Sequence, residues 1–130
     1  MLGFLGIFGK ADDLRRLEGA FKAIGLHPRL VPDAVKIAMI RQLRRDPNSD
    51  GSVSDADCAS AAVLLTYCTL GPAGLAAETD DATVEAVEAR VERAVAAGDS
   101  TDARLILLAL HAGILNAHVI DRYGLESDSG

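Results

Sequence analysis

The stretch Ala103–Arg122, ARLILLALHAGILNAHVIDR, limits the possible folds of this 130-residue chain more than any other. No charge falls between Arg104 and Asp121, and apolar residues lie on every side of a helical projection. A helix that is apolar all round is buried. At 1.5 Å per residue it would span roughly 30 Å, the width of a small domain. His111, Asn116 and His118 interrupt it, whereas a membrane span needs ~20 apolar residues in a row. The expected fold is therefore all-α, a compact bundle of about five helices with a buried central C-terminal helix. Ala109, Gly113 and Ala117 repeat every fourth residue on that helix. Such small side chains predict a close crossing, either with the small face at Ala59 and Ala62 or with a second copy.

The rest of the chain divides into an apolar N-terminal arm over 1–10, a helical domain over 11–124 and a frayed tail over 125–130. The opening MLGFLGIFGK lacks the basic start and A-x-A site of a secretory signal. Glycines at 3, 6 and 9 argue against a stable helix there. Leu2, Phe4, Leu5, Ile7 and Phe8 must fold back on the bundle or form an exposed arm. Such an arm would contact a partner, a second copy or a membrane surface.

A first helix is predicted from Asp12 to Ile24, with Leu14, Leu17, Phe21 and Ile24 as its stripe and Gly25 as its stop. Pro32 opens a second, with Val35, Met39, Ile40 and Leu43 inward and Arg41, Arg44 and Arg45 in its last turn. A third runs from Asp55 to Leu70, capped by Ser54 and ended by Gly71-Pro72. A fourth, Asp81–Ala97, turns Val84, Val87, Val91 and Val95 inward and its charges outward. Asp99 or Ser100 then caps the C-terminal helix, which Gly124 ends.

Net charge is −6, but it is unevenly spread. Residues 1–45 carry nine Lys/Arg against four Asp/Glu, a net of +5, and residues 46–130 carry four against fifteen, a net of −11. The molecule as a whole repels nucleic acid, although its basic end could attract an anion. The Arg- and Ala-rich composition suggests a bacterial source. Cys58 and Cys68, ten residues apart on one helix, are about 15 Å apart in rise, too far for a disulfide. Free thiols fit a cytoplasmic location.

Residues 46–57, DPNSDGSVSDAD, carry the most distinctive chemical pattern. Asp46, Asn48 and Asp50 take loop positions one, three and five, with Gly51 at the sharp turn. Ser52 offers its carbonyl, Val53 points inward, and Ser54 and Asp57 complete the set. Alternate residues of a curling loop can surround a hard cation with oxygen. These twelve positions resemble a calcium-binding loop of the EF-hand family, more narrowly the dockerin-type variant. The resemblance implies Ca²⁺ or Mg²⁺ held by Asp46, Asn48, Asp50, Ser52, Ser54 and Asp57. Asp57 stands where EF-hands usually place Glu, which favours Mg²⁺ or weak binding. The same residues also describe a polar inter-helix loop that ends in a serine cap.

His111 and His118, two helical turns apart, are predicted to share a face of the C-terminal helix. No acid lies between them at ligand spacing. His27, before Pro28, reads as a turn residue. Cys68 lacks a paired base, and neither GxxxxGK[ST] nor GxGxxG after a strand occurs. An enzyme is the least supported class. The expectation is a small non-catalytic protein that works through protein–protein association, foremost as a homo-oligomer. The alternatives are a divalent-cation module and an anion or nucleic-acid binder using the basic helices. No transmembrane segment is expected. Peripheral membrane contact through residues 1–9 is the weaker alternative for the arm.

Overall fold

The computed structural model describes residues 2–47 and 49–125, with side chains from position 12 onward, Asn48 excepted. Six α-helices make the chain 77% helical, and no strand occurs among the described residues, so the fold is an all-α bundle. They are α1 (Leu2–Ala23), α2 (Asp33–Arg45), α3 (Asp55–Glu78), α4 (Asp81–Ala97), α5 (Thr101–His111) and α6 (Ala117–Tyr123), with a short 3-10 turn at Pro28–Leu30.

The helix boundaries follow local chemistry. Gly25, at φ +89°, ends α1 in a Schellman motif: Leu26 N–H donates to Phe21 O and Gly25 N–H to Lys22 O. The apolar contact that accompanies this motif is met here by Phe21 and Leu26, both buried. Ser54, Asp80 and Ser100 each accept a backbone N–H at the start of α3, α4 and α5. Gly98 closes α4 in the left-handed region.

α3 occupies the centre. It packs against α1, α4, α5 and α6, and Cys58, Ala61, Ala62, Leu64, Leu65, Tyr67 and Cys68 are buried along it. Its buried or half-buried threonine hydroxyls are satisfied within the helix, Thr66 donating to Ala62 O and Thr69 to Leu65 O. By length and composition α3 could cross a membrane, with mean hydropathy 1.4, yet 56% of its most apolar segment is buried inside this fold. A core helix meets the same description. At Gly71 (φ +79°, ψ 179°) the helix kinks. Pro72 has no N–H, which leaves the Cys68 carbonyl without its helical donor. The backbone N–H of Asn116 supplies one at 2.6 Å.

That contact explains the main correction to the sequence reading. The C-terminal stretch is not one buried central helix. It breaks into α5 and α6, and Leu107 at 43% exposure and His111 face outward. Gly113, at φ +74°, ends α5 in a second Schellman motif: Gly113 N–H donates to Leu110 O and Ile114 N–H to Ala109 O. Asn116 then caps α6 by accepting His118 N–H. Gly113 is thus a helix stop rather than part of a small-residue stripe. Ala109 is buried, whereas Ala59 and Ala117 are exposed.

Three smaller differences follow the same logic. α1 begins at Leu2, so the segment expected as an arm is continuous with the first helix. Extending an existing helix costs far less than nucleating one, which offsets the three glycines. Asp12 and Asp13 therefore lie mid-helix. On α4 the inward residue after Val91 is Ala94, while Val95 is 40% exposed. At the other end Leu125 packs against the core, and its N–H donates to Ile120 O. The rest of the expected tail, 126–130, lies outside the described residues.

Candidate functional site

Two features stand out on the bundle: the loop joining α2 to α3, and an apolar groove between α4 and α5.

The loop is held at both ends. At its start Asp46 Oδ2 accepts the Thr101 hydroxyl at 2.7 Å, tying the end of α2 to the start of α5. At its far end buried Val53 offers its carbonyl to Arg16 Nη1 at 2.8 Å, and Arg16 Nε also meets Asp55 at 3.0 Å. Between these anchors the loop bonds to itself. Ser49 N–H donates to Asp46 O, and Ser49 Oγ donates to Ser52 O and accepts Gly51 N–H. Gly51 turns at φ +92°. Asp50 Oδ1 accepts both the hydroxyl and the N–H of Ser52, which holds its carboxyl below the usual range. Ser54 and Asp57 form a reciprocal capping box at the start of α3.

Of the six residues singled out for a cation, the structure brings Asp46 and Asp57 to one cavity of about 250 Å³, shared with Ser49 and Leu43. Asp50 is turned onto Ser52, the Ser52 carbonyl accepts from Ser49, and Ser54 is engaged in the cap. Asn48 lies outside the described residues. No group of three His, Cys, Asp or Glu able to hold a metal ion occurs among the described residues. Asp50 and Asp57 each give one carboxylate oxygen, Oδ1 and Oδ2 respectively, to the loop's own hydrogen bonds.

The other candidates are separated. His111 ends α5 and His118 lies in α6, both exposed, so they do not share a helix face as expected. The break at Gly113 is the reason. His27 is a turn residue, its Nδ1 accepting Arg29 N–H at 3.1 Å. Burial pushes the Cys58 thiol up to about 11 and the Cys68 thiol up to about 12, so neither is a nucleophile at neutral pH. Arg44 is bound to Asp13 and Lys36 to Glu18, which takes both from the basic surface.

Sequence reasoning missed three polar clusters that tie helices together. Asp13, buried in α1, accepts from Arg16 and Arg44. Arg90 grips Asp102 through two bonds of 2.7 and 2.8 Å and donates to Ser60 O, joining α3, α4 and α5. Tyr67, fully buried, donates to Glu88, meets the Tyr123 hydroxyl at 3.2 Å, and shares Glu88 with Arg122. Burial, then the Tyr123 and Glu88 hydrogen bonds, push the Tyr67 hydroxyl well above its usual range. Apart from Asp13–Arg16, which are three residues apart on α1, these partners come from different helices, and no local pattern signals them.

The groove lies where the last turns of α4 run beside α5. Ala94, Val95, Ala103, Ile106, Leu107 and Leu125 line about 150 Å³. Val95 and Leu107 are two of the three large apolar residues exposed among those described.

No protein-family model, curated protein or solved structure matches the chain. Its class is therefore the one its own geometry defines, an all-α bundle organised around a kinked central helix.

Proposed function

We propose that this chain is a small non-catalytic protein that acts by associating with other proteins, foremost with copies of itself. The observation that carries this reading is the groove between α4 and α5. It leaves Val95 and Leu107 exposed side by side on a surface otherwise rich in charge. Exposed apolar concavities with polar rims mark interaction sites. Around the groove, arginines and carboxylates are tied to one another in structural pairs, as at Arg90–Asp102 and Arg104–Asp99. Sedimentation velocity of the full chain at micromolar concentration tests the reading. Association that Leu107→Glu weakens is expected, and a parent that is monomeric at every concentration counts against it.

A second reading, divalent-cation binding, is favoured by the shared cavity of Asp46 and Asp57 and by the twelve-residue ligand order. Calorimetry with Ca²⁺ and with Mg²⁺ tests it. Heat of binding that Asp50→Ala removes supports a site, and no heat or thermal shift at millimolar ion ends the idea.

A further inference from the structure

We propose that the groove between α4 and α5 receives residues 2–9 of a second copy of this chain. This inference rests on the association reading and names the occupant. The groove is too small to be a flat dimer face, since stable interfaces bury about 1,200–2,000 Å² in total. Its volume of about 150 Å³ suits one apolar anchor instead. A cavity of about 150 Å³ lined by aliphatic side chains accommodates a benzene ring.

The chain carries a matching ligand. Residues 2–9 hold Leu2, Phe4, Leu5, Ile7 and Phe8, with no charge before Lys10. Two of the three phenylalanines fall in this segment. It is the start of α1, and α1 packs mainly against α2 and α3, whereas the groove is built from α4 and α5. The segment that fits therefore comes from another molecule. Charge points the same way. Residues 1–45 carry a net +5 and residues 46–130 a net −11, so, although each copy is net −6, basic side chains on α1 of one copy have acidic partners on α4 of the next. Lys22 is exposed on α1, and Glu85 and Glu92 are exposed on α4.

The test uses full-length chains in sedimentation velocity, with circular dichroism as the check on folding. Phe4→Glu/Phe8→Glu removes the ligand and leaves the groove. Leu107→Glu removes the groove and leaves the ligand, and Val95→Glu replaces it should that variant fail to fold. Each variant alone should associate roughly tenfold or more weakly than the parent. An equimolar mixture of the two should regain a heterodimer, because one intact segment meets one intact groove. A parent that is monomeric overturns the association reading together with this inference. A parent that associates while Phe4→Glu/Phe8→Glu does so equally well overturns this inference alone. Two folded monomeric variants whose mixture stays monomeric also overturn it. A monomeric parent that cosediments with phosphatidylglycerol vesicles assigns the segment to lipid and overturns it as well.

Discussion

Lys36 shows how single residues hold this bundle. It is buried on α2 and reaches Glu18 at 2.7 Å and Asp33 at 3.1 Å. Burial alone pulls the ammonium down, but the two carboxylates outweigh it and leave it raised. A raised folded value means the stability it contributes is complete below the ordinary 10.5 and is lost as pH climbs through the folded value. The stability gap between the parent and Lys36→Met, from urea unfolding, should therefore narrow above that pH, and a gap constant into strong alkali contradicts the pairing. Asp13 is the acidic counterpart on α1, with side-chain exposure of 8%. Asp13→Ala strands donors on Arg16 and Arg44, which are themselves partly solvated, so a loss of about 1–3 kcal/mol is expected in the same assay. The thiols report on the core directly. With Cys58 up to about 11 and Cys68 up to about 12, both should resist a thiol reagent in the native protein and react promptly in denaturant. Native labelling within seconds would place α3 elsewhere than the centre.

Among the elements, glycine stops and polar caps were legible in the sequence because they act over four residues. Gly25, Gly98, Gly124 and Ser54 do what their positions imply. The break between α5 and α6 was written in the same code, as Gly113 followed by Asn116, but the apolar continuity of the stretch masked it. Its partner is the α3 kink, which no local rule links to it. A Cβ on Gly71 would sit 3.2 Å from Asn116 Oδ1, and its backbone lies in a region open essentially only to glycine. A Cβ on Gly113 meets nothing within 4 Å, so alanine there costs only the left-handed strain of about 1–2 kcal/mol. Gly71→Ala should therefore lower the unfolding midpoint clearly more than Gly113→Ala, and equal losses would mean that the two breaks are not docked. The cap of α4 carries a pH signature. Thr83 holds the Asp80 carboxyl low, so its contribution is present above the ordinary 3.8 and fades as pH falls through the folded value. The advantage of the parent over Asp80→Ala should shrink in acid by thermal unfolding, while that of Asp80→Asn, which caps without titrating, should not.

For the molecule as a whole, helical content was readable but the choice of central helix was not. The longest uncharged run is Cys58–Ala77, not Leu105–Ile120. Two threonines, a tyrosine and Gly71-Pro72 made it look less like a core than the aliphatic C-terminal stretch. Thr66 and Thr69 satisfy their hydroxyls within α3 itself, and Tyr67 finds Glu88 only once α4 is in place. The candidate cation loop was legible as a polar turn with a serine cap, while the groove was not, because Val95 and Leu107 come from separate helices. The groove and the opposed charges of the two halves give different responses to salt, which separates their roles in association. Screening lengths fall from ~8 Å at physiological ionic strength to ~3 Å at 1 M, so attraction between basic side chains of residues 1–45 in one copy and acidic side chains of residues 46–130 in the next weakens as sodium chloride is added. Apolar burial survives that screening, and sulfate strengthens it. Affinity for self-association should thus fall several-fold between low and moderate sodium chloride and then level off, the plateau being set by the groove. Leu107→Glu should lack that plateau. Affinity that rises steadily with sodium chloride would leave the apolar contact standing and remove charge from the account of how two copies orient.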